Sequence, residues 1–123
     1  MRLSVFIAAL LSLLVSNVMA EELTIPQDKA VIQFDTKLGV VTFQHQMHAG
    51  LSITECKTCH HTLEPNATVV KPCHECHQHK EDGEAPKTKD AFHTRCIGCH
   101  EYTVESGGQA GPVKKKCKLC HVK

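Results

Sequence analysis

Apolar positions are bunched at one end of this chain. A run from Val5 to Val15, broken only by Ser12, follows Arg2 and precedes the small-residue site Val18-Met19-Ala20, so residues 1–20 are expected to be a cleaved signal peptide. The run is too short for a spanning helix, which needs about 20 apolar residues. Further on, Ala30 to Phe34 and Gly39 to Phe43 are short β-prone runs around Asp35 to Leu38 and predict a small N-terminal β-hairpin. Lys89 to Glu101 predicts a helix, because Ala91 to His100 lacks proline and holds only Gly98 as a weak breaker. Elsewhere the apolar residues are isolated, and Pro65-Asn66, Glu81-Asp82-Gly83-Glu84 and Gly107-Gly108 punctuate loops. The expectation is one domain over residues 21–123, mainly irregular, with short α-helices and the N-terminal hairpin.

Four copies of one signature lie across that irregular region: Cys56-Lys57-Thr58-Cys59-His60, Cys73-His74-Glu75-Cys76-His77, Cys96-Ile97-Gly98-Cys99-His100 and Cys117-Lys118-Leu119-Cys120-His121. Each is a C-x-x-C-H attachment site for c-type haem. Two thiols at this spacing add to the haem vinyl groups as thioethers, and the imidazole that follows is carried under the iron as an axial ligand. With histidine at 10 of 123 residues, one would follow all four pairs by accident with a chance on the order of 10⁻⁵ to 10⁻⁴. The motifs use all eight cysteines and leave none for a disulfide or a free nucleophile. Cys73, Cys76, Cys96 and Cys99 also have the spacing of a zinc ribbon, and a C-x-x-C pair can be a redox disulfide, but neither reading requires the trailing histidines. Four covalent haems are expected, with helical content centred on the second and third attachment sites.

Six histidines remain beyond His60, His77, His100 and His121: His45, His48, His61, His74, His79 and His93. Met47 is the only methionine after the leader, so His/Met ligation, which raises the potential, is open to one haem at most. Bis-histidine, low-spin, low-potential haems are therefore expected. His45 and His48 are three apart and emerge from a helical turn on neighbouring faces, able to ligate two different irons. His61 adjoins His60 and points away from it, and His93 lies three before Cys96 on the predicted helix. These four are the candidate second ligands, with His74 or His79 as the alternative to His61.

The aromatic residues beyond the leader are Phe34, Phe43, Phe92 and Tyr102, too few to build the core of a domain this size. Haems and their thioether bonds must staple it, so the haem-free chain is expected to be largely unfolded. The chain carries 14 Lys and Arg against 13 Asp and Glu, and haem propionates make the loaded protein acidic. That excludes nucleic acid as a partner, since such binding needs a net basic stripe.

The phenylalanine-led segment Phe43 to His48 with two histidines, the doubled His60-His61, His93 before the third motif and Gly111-Pro112 before the fourth resemble class III multihaem cytochromes c. This is the tetrahaem cytochrome c3 family, related to triheme cytochrome c7. The resemblance covers nearly the whole chain after the leader. It implies a small multihaem cytochrome fold wrapped around four haems, held by His45 with His60, His61 with His77, His48 with His100, and His93 with His121. Many members use a longer C-x-x-x-x-C-H at their second and fourth sites, whereas all four sites here are short. The short third-to-fourth connection looks closer to the triheme branch.

The resemblance also implies a periplasmic electron carrier between a donor such as hydrogenase or formate dehydrogenase and a membrane or extracellular acceptor. The mature chain is not expected to span the membrane. A chain of about 100 residues has a radius of gyration near 13 Å, so four macrocycles within it lie close together. A terminal reductase of metal ions, sulfur or nitrogen oxyanions is the alternative, and one binding substrate at iron would need an open axial position. Lys114, Lys115, Lys116, Lys118 and Lys123 crowd the fourth motif, either as a solvated face or as a docking patch for acidic partners.

Overall fold

The computed structural model describes residues 23–80, 83–114 and 116–123, so the expected signal peptide lies outside the described residues. A 3₁₀ turn at Gln27–Lys29 leads into two strands, β1 (Ile32–Thr36) and β2 (Gly39–Phe43). They pair antiparallel from Ile32 opposite Phe43 to Thr36 opposite Gly39, leaving Lys37 and Leu38 as the turn. The alternation is that of a half-covered strand: Ile32 and Phe34 are half-buried, Gln33 and Asp35 exposed. Gly39 has φ of +129°, and a Cβ there would lie 2.5 Å from the carbonyl oxygen of Val122, so only glycine fits this position.

That neighbour belongs to an element absent from the sequence-based expectation. Residues His121–Val122 form a short strand, β3, which pairs antiparallel with β2 through Val40 opposite Val122 and Val41 opposite His121. The last haem motif is thereby tied to the N-terminal hairpin. Two residues carry no readable alternation, and their pairing is set by long-range contact.

Among the described residues there are four α-helices: α1 (His45–Ala49), α2 (Cys56–Cys59), α3 (Thr88–Glu105) and α4 (Cys117–Cys120). Of these four, only α3 exceeds two turns. It begins where Thr88 bonds back to the second motif, its N–H reaching the carbonyl of Gln78 at 2.8 Å and its hydroxyl that of His77 at 2.5 Å. Asp90 sits in the first turn, favourable to the helix dipole, 3.4 Å from Lys87. The helix runs beyond the predicted Lys89 to Glu101 because nothing from Tyr102 to Glu105 breaks it. Gly107, at φ +84°, supplies the left-handed residue that ends it.

The second attachment site is a correction. It is a single 3₁₀ turn, Cys73–Glu75, and not a centre of helical content. The carbonyls of His77 and Gln78, which a continuing helix would need, are committed to Thr88.

Phe34 meets Phe92 edge-on at 5.1 Å between ring centroids and joins β1 to α3. Beyond that contact the polypeptide encloses little: no described side chain is fully buried, and Val69 and Tyr102 are 79% and 72% exposed. A domain stabilised by its own apolar side chains does not look like this.

Candidate metal centres

Each motif is built on one helical turn. In α2, α4 and the middle of α3, cysteines three apart stand on the same side, and the histidine at the fourth position follows on that side. The second motif achieves this with its 3₁₀ turn, closed by the N–H of His77 on the carbonyl of Cys73 at 2.9 Å. In α2 a capping box fastens the start, with the Glu55 N–H donating to the Thr58 hydroxyl at 3.1 Å. Two sulfurs and one imidazole on a common face are the donor set that covalent haem attachment uses.

The histidines meet in twos. His45 faces His60 with ring centroids 6.1 Å apart, His61 faces His77 at 5.9 Å, His48 faces His100 at 6.2 Å and His93 faces His121 at 6.3 Å. Every pair joins one histidine that ends a C-x-x-C-H motif to one that does not. His74 and His79, both exposed, join none of these pairs. Among the described residues no three of His, Cys, Asp and Glu converge, as a zinc ribbon would require.

The spacing has a simple chemical meaning. Imidazole nitrogen binds a first-row metal at about 2.0–2.1 Å, and the ring centroid lies roughly 1.1 Å behind that nitrogen, so two rings sharing one metal stand roughly 6.3 Å apart. The four separations suit an iron held between each pair.

Ring orientation agrees. Nδ1 of His45 donates to the Lys29 carbonyl at 3.0 Å, that of His48 to Gln44 at 2.8 Å, that of His77 to Pro86 at 2.8 Å and that of His100 to Pro112 at 2.9 Å. A carbonyl can only accept, so each of these rings carries its proton on Nδ1 and presents a bare Nε2. The Nδ1 of His121 bonds to the Thr36 hydroxyl at 3.0 Å. Phe43 lies beside both distal rings of α1, 5.7 Å from His45 and 4.6 Å from His48 between centroids, and fixes their separation.

Partial burial and the facing His45 hold His60 below the usual histidine range, keeping it neutral at neutral pH and its lone pair free for a metal. The Cys96 thiol is pushed up to about 11, chiefly by loss of hydration, although its side chain keeps an exposed surface. The thiols of Cys59, Cys120 and Cys73 add to this rise. Those neighbours belong to the first, fourth and second motifs. Beside the fourth, an open cleft of about 470 Å³ is walled by Val104, Pro112, Val113 and Leu119, an apolar surface suited to the face of a macrocycle.

The carbonyl acceptors, Phe43 as a separator and Thr36 were not anticipated from the sequence. Every residue carries a carbonyl, so no residue type signals the first; an aromatic beside paired histidines is a usable signal for the second.

Comparison with known proteins identifies the family. Residues 20–121 match the class III cytochrome c family. The 26 kDa cytochrome c3 of Desulfomicrobium norvegicum is 33% identical over 98 residues, covering 72% of this chain and 83% of that one. A cytochrome c3 of Maridesulfovibrio salexigens is 34% identical over 91 residues, covering 68% and 78%. Among solved structures, the cytochrome c7 PpcE from Geobacter sulfurreducens is 35% identical, with a TM-score of 0.44, and covers 76% of this chain and 97% of that one. With a family match that spans all four attachment motifs, the chain belongs to the class III cytochromes c, multihaem electron-transfer proteins that carry covalently bound c-type haem.

Proposed function

We propose that this protein is an exported, low-potential electron carrier with four bis-histidine c-type haems. The reading rests on one observation above the others, the four imidazole pairs 5.9–6.3 Å apart, each with one member from a C-x-x-C-H motif. Cys56 and Cys59, Cys73 and Cys76, Cys96 and Cys99, and Cys117 and Cys120 would form the thioethers. The irons would be held by His45 with His60, His61 with His77, His48 with His100, and His93 with His121.

Each haem supplies one-electron exchange at iron; the chain supplies the rest. Two imidazoles from each pair would favour low-spin iron and small rearrangement on electron transfer. The backbone carbonyls that hold Nδ1 make the rings stronger donors and lower the potential. A chain of this size would keep the centres near one another, so that adding charge at one would raise the cost of reducing the next. With a ring opposite each motif histidine, a bound haem iron would have both of its protein ligands, which favours a carrier over a terminal reductase.

Export follows from the leader over residues 1–20, and covalent haem attachment takes place outside the bacterial inner membrane. No described helix is long and apolar enough to cross a membrane. The donor is a redox protein such as hydrogenase or formate dehydrogenase, and the acceptor a membrane or extracellular redox partner. Lys114, Lys116, Lys118 and Lys123 are exposed around the fourth motif and suit an acidic docking face. Reduction by hydrogenase should slow as salt rises, and replacing these lysines with glutamine without slowing transfer would remove the docking role. Intact-mass measurement of the exported protein tests the cofactor count: the chain without residues 1–20 plus four haems is expected, and any smaller number overturns the reading.

A further inference from the structure

The fourth site is oriented differently from the others. Four ligand histidines find their Nδ1 acceptor on a backbone carbonyl between 4 and 16 residues away. His121 instead uses a side chain, the hydroxyl of Thr36, across 85 residues of sequence.

The hydrogen bonds of that hydroxyl can be counted completely. Its single proton goes to the Gly39 carbonyl at 2.7 Å. Its two lone pairs then accept from the Leu38 N–H at 3.2 Å and from the His121 ring at 3.0 Å. No other proton is available to it, so His121 must carry its own on Nδ1 and leave Nε2 bare. The β-turn, Thr36 and the tautomer of His121 form one interlocked unit, tightened by the approach of Val122 to Gly39.

On the reading that His121 ligates the fourth iron, we infer that Thr36 is a positioning residue that sets the potential of that centre. A hydroxyl is a weaker acceptor than an amide carbonyl and draws the Nδ1 proton less, so Nε2 of His121 is a poorer donor than the carbonyl-bound histidines. A poorer donor stabilises ferric iron less. The fourth haem accordingly has a higher potential than carbonyl-bound ligands alone would give it, and the N-terminal hairpin controls it from outside the motif.

The test compares Thr36→Val and Thr36→Ser in the exported, haem-loaded protein, with haem-resolved redox titration and EPR of the oxidised form as readouts. Valine keeps the shape and strand preference and removes the acceptor, whereas serine restores it. Thr36→Val is expected to raise the potential of one haem by up to a tenfold change in its one-electron equilibrium, ~59 mV, and to shift its low-spin g-values. Thr36→Ser should stay near wild type. The haem that moves must be the one that His121→Ala converts to a high-spin signal. Unchanged potentials in Thr36→Val, or equal shifts in the serine variant, overturn the role of the hydroxyl. If His121→Ala leaves every haem low-spin, the ligand assignment itself fails, whatever Thr36 does.

Discussion

Gly111 lies against the imidazole of His100, and adding one methyl group there tests how tightly the third pair is held. A Cβ on residue 111 would stand 2.7 Å from Cε1 of His100 and 3.2 Å from each ring nitrogen. Non-bonded carbons settle at about 3.5–4.0 Å, so ring and loop must part by roughly 0.8–1.3 Å. The ring has little freedom to retreat, since its Nδ1 is bonded at 2.9 Å to the carbonyl of Pro112 and His48 faces it at 6.2 Å. If the loop retreats instead, it takes the adjacent Pro112 carbonyl with it. A metal–imidazole bond is about 2 Å long, so a displacement of about 1 Å weakens or breaks it, and overpacking of this kind costs about 1–3 kcal/mol. Gly111→Ala is therefore expected to lower the denaturant midpoint of the loaded protein and to perturb one haem in the EPR spectrum of the oxidised form. A midpoint and a full set of low-spin signals identical to wild type would refute the close packing of Gly111 on His100.

Three other predictions bear on separate parts of the account. Replacing His61 with alanine should leave one five-coordinate, high-spin haem, while His74→Ala and His79→Ala leave the spectrum unchanged; a high-spin signal in either of the latter would reassign the second site. Gly39→Ala places a methyl 2.5 Å from the Val122 carbonyl oxygen at a φ of +129°, and should destabilise by about 1–3 kcal/mol and loosen the fourth site in a thermal melt. The chain produced without haem attachment should show no cooperative thermal transition by circular dichroism, because no described side chain is fully buried.

What the sequence discloses is the chemistry that must be local. A thiol pair and an imidazole have to sit on one helical turn, so C-x-x-C-H is readable wherever it falls, and the strand pattern around Phe34 and Phe43 is equally direct. The hairpin and the long third-motif helix were legible for the same reason. Long-range features were hidden. His121–Val122 joins the sheet by pairing with residues some 80 positions earlier, and two residues cannot announce a strand. The second motif reads as helical until Thr88, from another segment, takes the carbonyls of His77 and Gln78. The choice among six spare histidines rests on a count of vacancies in the sequence; the folded chain sets four of them opposite motif histidines and leaves His74 and His79 apart. Thr36 looks like any strand threonine until the last motif folds back onto it.

The central claim is that four irons are each held between two histidines. A pyridine haemochrome assay of the purified exported protein, taken with the EPR spectrum of its oxidised form, addresses that claim directly. Four haems per chain and only low-spin ferric signals are expected. Fewer than four haems, or a persistent high-spin signal, would contradict it and point to an open axial position where substrate chemistry takes place.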